Sequence, residues 1–190
     1  MKYLSIIIPI AVIGLLALIG ISQYNGIITK SENADNAWAD VESAYQRRFD
    51  LIPNLVETVK GYADFEQSTL IAVTEARAAA MGAMRTAGES GDLGEFQKAN
   101  ANLGVAMGRF FGYTEQYPDL KANQNFMDLQ RQLEGTENRI NTARDRFNEA
   151  VKEYNAKIKR FPGNLFGFDE KTYFESQEGA ETAPKVDFAK

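Results

Sequence analysis

Residues 123–161 have the sequence NQNFMDLQRQLEGTENRINTARDRFNEAVKEYNAKIKRF. Apolar side chains recur here every three or four positions, at Phe126, Leu129, Leu133, Ile140, Ala143, Phe147, Ala150, Tyr154, Ile158 and Phe161. This period predicts one long helix with a narrow apolar stripe, close to the heptad pattern of a coiled coil. Asn123 is expected to cap its start, and Pro162-Gly163 to stop it.

Two other stretches have the same period, and no window alternates as a strand would. One runs from Ala34 to Met84 and includes Trp38 and Tyr45, which are expected in the core; the other runs from Leu93 to Phe110. Turn residues at 86–91 and 117–119 separate these stretches, and Asp92 is a predicted N-cap. The sequence therefore predicts an all-α protein, with helical segments at about 27–52, 54–86, 92–116 and 123–161 in an antiparallel bundle.

Pro53 interrupts the first of these stretches. Proline lacks the backbone N–H and disturbs the preceding turn of a helix. No glycine or Asn-Gly pair lies beside it. We therefore expect a kink, or a helix restart capped by Asp50, in preference to a full hairpin.

The N-terminal region predicts a membrane anchor. Residues 3–29 carry no charge, and the 19 residues from Tyr3 to Ile21 are almost entirely apolar. As a helix they would span about 28 Å, close to the thickness of a hydrocarbon core. A cleaved signal peptide is the alternative, but its apolar region would be shorter and no Ala-x-Ala site follows. The predicted division is a transmembrane anchor (1–25), a helical bundle (26–162) and a C-terminal strap with a flexible acidic tail (163–190), with lipid contacting residues 3–21.

The composition excludes most catalytic machinery. The chain has no histidine and no cysteine, which removes thiolate nucleophiles, His-based proton transfer and Cys/His zinc sites. Glu149 and Glu153 lie four residues apart, but an exposed helix surface explains them better than a cation site. The net charge of −5 argues against a nucleic-acid partner. We therefore predict no enzymatic activity, no cofactor and no metal.

Two features are candidate interaction sites. A polar cluster surrounds Pro53 and consists of Arg47, Arg48, Asp50, Asn54 and Glu57. It is either a recognition patch for a partner or an ordinary solvated face with a helix cap.

The second feature is a row of glycines spaced by four, Gly104, Gly108 and Gly112. Each should cost a helix interior about 0.8–1 kcal/mol relative to alanine. Close approach of another helix, from the bundle or from a second subunit, would offset that cost, and drift on an exposed face is the alternative. The row is a candidate helix-packing or homo-oligomer face.

Several motifs together resemble the LemA family of bacterial membrane-anchored proteins. They are Tyr24-Asn25-Gly26-Ile27-Ile28, Ala37-Trp38-Ala39-Asp40-Val41-Glu42, Tyr45-Gln46-Arg47-Arg48, Leu51-Ile52-Pro53-Asn54-Leu55-Val56, Val73-Thr74-Glu75-Ala76-Arg77, Tyr117-Pro118-Asp119-Leu120-Lys121-Ala122-Asn123, Tyr154-Asn155, Phe161-Pro162 and Pro184-Lys185-Val186-Asp187-Phe188. The resemblance implies a bundle behind one span of the bacterial inner membrane, on a side it does not specify, and no established reaction. The leading hypothesis is a membrane-tethered scaffold or adaptor that self-associates or binds another envelope protein. The alternative is a sensory input module that relays a ligand state through the span.

Overall fold

The computed structural model describes residues 3–61 and 66–175, and within them the chain is helical with no strand. Its elements in chain order are α1 (Leu4–Lys60), α2 (Gln67–Ser90), α3 (Gly94–Thr114), the short α4 (Pro118–Lys121), α5 (Gln124–Lys159) and a 3-10 turn (Gly163–Leu165). The all-α prediction is confirmed.

The first helix serves both predicted regions of the chain. α1 has 57 residues, which corresponds to roughly 85 Å of helix. Its N-terminal part is long and apolar enough to cross a membrane, and the side chains from Ile7 to Ile19 are exposed. Burial begins at Ile27 and recurs at Ala34, Val41 and Tyr45. The predicted border at residues 25 and 26 thus lies inside one continuous helix.

The bundle is built around the second half of α1. α5 packs antiparallel to it, since Lys30 pairs with Glu153 near one end and Arg48 with Glu137 near the other. The α2–α3 hairpin packs through α2 against α1, and large aromatic side chains of α1 reach α3, where the rings of Tyr45 and Phe96 lie 4.8 Å apart. The interior between these helices is filled by fully buried aromatic and aliphatic side chains.

One predicted N-cap is confirmed and the other is wrong. Asn123 Oδ1 accepts a hydrogen bond from Phe126 N at 3.2 Å, as expected of an N-cap. The N-cap of α3 is Leu93 rather than Asp92, because α3 begins two residues later than predicted, and Asp92 Oδ1 accepts from Gly94 N at 2.9 Å in the turn before it. The predicted turn at 86–91 is shorter than expected, because α2 continues to Ser90 and ends at Gly91, whose φ of 72° suits glycine.

Of the two alternatives at Pro53, a kink or a helix restart capped by Asp50, the restart is wrong. α1 continues through Pro53, and the Asp50 carboxylate instead accepts a hydrogen bond from Gln46 Nε2 at 2.7 Å. Pro53 has no N–H for the carbonyl of Phe49, one turn earlier. Arg77 of α2 replaces that donor, with its Nε 2.6 Å from the Phe49 oxygen. Where α1 passes the proline, the freed carbonyl therefore has a donor from another helix.

The prediction of one helical segment over 54–86 is also wrong. α1 ends at Lys60, Gly61 is its C-cap, and α2 begins at Gln67. The sequence contains three signals for this break between α1 and α2: a basic residue in the last turn, a glycine after it, and a gap in the apolar series before Leu70. The helical register of α2 is therefore independent of that of α1.

Phe161 does not belong to the buried stripe of α5. The helix ends at Lys159, and Phe161 is 81% exposed although it continues the apolar series in sequence. The Pro162-Gly163 stop acts two residues earlier than predicted, which turns this ring outward.

Candidate functional site

The polar cluster around Pro53 divides into two groups. Arg47 Nη2 donates to Gln132 Oε1 at 3.0 Å, and Arg48 Nη1 lies 3.1 Å from Glu137 Oε2, so both arginines fasten α1 to α5. The Arg48 side chain is only 14% exposed. Arg48 is therefore a bundle contact rather than an open recognition group.

The other three members form an exposed row on α1. Asp50 is bound by Gln46, Glu57 is paired with Lys60, and the Asn54 side chain is exposed. Exposed ion pairs of this kind contribute about 0–1 kcal/mol. A recognition role for the cluster stays a prediction.

The glycine row lies on the outside of α3. Gly104, Gly108 and Gly112 are exposed, and a Cβ added to any of them would meet no atom of the described residues within 4 Å. The opposite side of α3 buries Phe96, Leu103, Met107 and Phe110 in the core. No helix of the described part of the chain therefore contacts this row, which removes packing within the bundle as its explanation.

One member of the glycine row, Gly104, lines an open groove between α3 and α5. The groove has a volume of about 680 Å³ and is lined by Tyr45, Arg48, Asn100, Gly104, Val105 and Arg144, among others. Its wall contains a buried acceptor, Asn100 Oδ1, which has no hydrogen-bond partner among the described residues. Burial raises the pKa of the Tyr45 hydroxyl, with the charges of Arg144 and Arg48 opposing, so the hydroxyl stays protonated at neutral pH. The groove thus presents donors and the buried acceptor Asn100 Oδ1 beside the backbone of Gly104.

The chain after the 3-10 turn closes the end of this groove nearest the apolar half of α1. From here on, the strap means residues 168–175, which lie within the C-terminal region predicted at 163–190. Two asparagines of α5 hold its backbone, each through one donated and one accepted hydrogen bond. Asn155 binds Lys171 at 2.9 and 3.0 Å, and Asn148 binds Phe174 at 3.1 and 2.9 Å. Because Asn148 and Asn155 lie seven residues apart, they form a ladder two turns long that fixes the strap antiparallel to α5.

The strap ends in an aromatic cluster. The ring of Phe174 stacks on Trp38 at 6.0 Å and meets Phe147 and Phe96 edge-on at 5.5 and 6.2 Å. The Arg144 guanidinium lies 4.8 Å from its centre on the outer side. Phe174 is buried in this cluster, so the strap completes the core rather than lying loosely on it.

Sequence reasoning missed the two asparagines. Asn155 is 2% exposed, which is unusual for an amide side chain and is explained by its backbone contacts. The available signal was a pair of asparagines one heptad apart beside the apolar stripe of α5. This spacing becomes informative only when an extended segment is already known to lie along the helix. The predicted tail beyond Glu175 lies outside the described residues.

The carboxylates of the described residues do not converge on a metal site. No group of three or more Asp or Glu side chains is placed to hold an ion in residues 3–61 and 66–175. Glu149 pairs with Lys152, and Glu153 pairs with Lys30 at 2.6 Å. The hydrogen bond from Lys30 lowers the pKa of Glu153. These glutamates therefore serve as surface ion-pair partners.

Comparison with known proteins defines the class. The features above are those of a helical bundle on a helix able to cross a membrane. The LemA family pattern matches residues 37–188, and the chain belongs to the LemA family. It is 27% identical to magnetosome protein MamQ 2 of Paramagnetospirillum magneticum, over 94% of this chain and 74% of that protein. It is 26% identical to MamQ of Magnetospirillum gryphiswaldense, over 94% and 75%, and 22% identical to protein LemA of Metamycoplasma hominis, over 84% and 70%.

Proposed function

We propose that this protein is a non-enzymatic scaffold, held in the bacterial inner membrane by one span, that self-associates through the outer face of α3. The observation that carries the proposal is the exposed glycine row beside an open groove on an otherwise filled bundle. A scaffold needs a stable core and an exposed contact face, and the chain has both.

Nothing in residues 3–61 and 66–175 packs against these glycines and so explains them. Positive φ angles occur at Gly91 and Gly167 but at none of the three glycines of the row. Their cost to the helix sums to about 2.5 kcal/mol, which alanine would avoid. Small residues in a row allow two helix backbones to approach closely. A helix of a second copy, lying along α3 at the edge of the groove, accounts for the row.

The neighbouring groove supplies specificity for such a contact. Asn100 Oδ1 is a buried acceptor without a partner among the described residues, and an unsatisfied buried group costs about 1–3 kcal/mol. A donor from an incoming helix would relieve that cost. The same groove suits another envelope protein, so an adaptor role uses the same face.

A sensory input module is the second candidate function. The observation in its favour is the continuity of α1, which joins the apolar segment directly to the bundle core. Such a module requires a ligand cavity within the bundle. Two spaces in the described part of the chain, beside Trp38 and beside Tyr45, are open surface grooves, and the core between the helices is lined by fully buried side chains. We therefore favour the scaffold.

The glycine row is tested by Gly108→Leu in the full chain, solubilised in detergent. We expect the oligomer to dissociate while the melting temperature holds or rises, because an exposed Gly-to-Leu change favours helix by about 0.8–1 kcal/mol. Light scattering gives the mass and circular dichroism the melting curve. Gly82→Leu on α2 is the matched control, since Gly82 is also exposed with no atom within 4 Å in the described structure. An oligomer that keeps its full mass in Gly108→Leu contradicts self-association through α3.

A further inference from the structure

The C-terminal end of α5 lies beside the point where α1 leaves its apolar segment. Gln23 and Tyr24 follow that segment by two and three residues, which is roughly 3–5 Å along the helix. Lys157 Nζ donates to Gln23 Oε1. The ring of Tyr24 meets those of Phe166 and Phe168 at 5.7 and 5.6 Å. These contacts fix the end of α5 and the 3-10 turn at the depth where an embedded span reaches the membrane surface.

Two large apolar side chains at this end are exposed. Phe161, two residues before the 3-10 turn, is 81% exposed, and Leu165, the last residue of the turn, is 70% exposed. Their neighbours Phe166 and Phe168 are partly buried against α1, so the turn itself is anchored. Exposed aromatic and aliphatic groups beside a span are typical of segments that enter the membrane interface.

The charge at this end is positive although the whole chain is acidic. A groove here contains Phe161 and four basic residues, Lys30, Lys152, Lys157 and Arg160. Its two acidic residues, Glu149 and Glu153, are already paired with lysines. Lys157 and Arg160 have no carboxylate partner in residues 3–61 and 66–175. The hydrogen bond of Lys157 to the neutral Gln23 leaves its charge uncompensated, and basic side chains close to a bilayer attract anionic headgroups.

We propose that the end of α5 and the turn after it form a membrane-interface contact, in which Phe161 and Leu165 enter the bilayer surface and Lys157 and Arg160 bind anionic lipid phosphates. This contact rests on the single-span anchor of the proposed function. It involves only one end of the bundle, and the remaining acidic body projects away from the lipid. With α1 held by the span and α5 held at the surface, the bundle has two points of attachment and a defined orientation.

The absence of cysteine from the chain makes a depth measurement direct. Asn164 is exposed between the two apolar side chains, so Asn164→Cys places a fluorophore at the turn while Phe161 and Leu165 stay in place. The labelled full chain is reconstituted in vesicles of equal parts phosphatidylglycerol and phosphatidylcholine. Quenching is measured with lipids carrying a nitroxide near the headgroup or deep in the acyl chain. Ala122→Cys, exposed at the opposite end of the bundle, is the distant control.

We expect several-fold stronger quenching of the Asn164→Cys label than of the Ala122→Cys label by the headgroup-level nitroxide. Two further pairs of substitutions should reduce the quenching of the Asn164→Cys label toward that of the Ala122→Cys label. They are Phe161→Ser with Leu165→Ser, and Lys157→Gln with Arg160→Gln. Val105→Ser removes an exposed apolar side chain from α3 and should not change it. In phosphatidylcholine alone, quenching should be weaker than in the mixed vesicles.

A third label separates this proposal from the anchor. Leu15→Cys lies within the apolar segment, and its label should be quenched by the deep nitroxide. If that label is quenched while the Asn164→Cys label behaves like the distant control, the anchor stands and the interface contact is wrong. If the Leu15→Cys label is not quenched, the anchor itself is wrong. Equal quenching at Asn164→Cys with and without the apolar and basic substitutions also overturns the contact.

Discussion

Replacing Phe174 with alanine is expected to detach the strap and expose Trp38. Phe174 is buried between Trp38, Phe96 and Phe147, and truncating a buried phenylalanine costs about 3–5 kcal/mol. For a chain of this size the melting temperature should fall by roughly 6–20 °C, given about 2–4 °C per kcal/mol. If the strap detaches before the bundle unfolds, the fall will be smaller and the change at Trp38 will remain.

The fluorescence of Trp38 reports this change without a label, since it is the only tryptophan in the chain. In Phe174→Ala its emission should shift to the red and its quenching by acrylamide should increase, because the stacked ring that covers it is lost. Tyr173→Ala is the matched control, since Tyr173 is the adjacent strap residue and is exposed. Emission and quenching identical to those of the unsubstituted chain would show that the strap does not cover Trp38.

Local periodicity was sufficient for the helices but not for their connections. The stripe of α5 and the cap at Asn123 follow from short-range rules, because spacing and side-chain type determine them. The C-terminal end of α1 did not follow from short-range rules, because Pro53 is a stronger local helix breaker than Gly61. Where α1 continues through Pro53, the freed carbonyl is bound by Arg77, which lies 24 residues after the proline. A contact of that separation has no local signal.

The candidate site likewise has one part that the sequence predicts and one part that it does not. The exposed glycine row could be placed on one strip of α3 from its spacing alone, because four-residue steps keep to one side of a helix. The groove beside it could not, because it forms where α3, α5 and the strap meet. Phe161 shows the opposite error: it extends the apolar period of α5 but lies beyond the helix end. Periodicity identifies a face only while the helix lasts.

The hydrogen bond between Arg77 and the Phe49 carbonyl leads to the second large effect. Arg77→Met keeps most of the apolar side-chain stem but removes the donor to the Phe49 carbonyl, which Pro53 has deprived of its helical N–H. An acceptor left unsatisfied in a partly buried position costs about 1–3 kcal/mol. We expect the full chain in detergent to melt at a lower temperature by a corresponding amount.

Pro53→Ala supplies the decisive comparison, because alanine restores an N–H that can donate to the Phe49 carbonyl from within α1. If Arg77 acts by replacing that bond, Arg77→Met should cost clearly less in the Pro53→Ala background, with a coupling of about 1–2 kcal/mol in the double-mutant cycle. Arg85→Met, an exposed arginine on the same helix, should have little effect in either background. Equal costs of Arg77→Met with proline and with alanine at position 53 would mean that Arg77 stabilises the bundle by its packing alone. A positive coupling would explain how a helix carries a proline in its interior: the backbone acceptor that the ring frees becomes the point at which α2 is attached to α1.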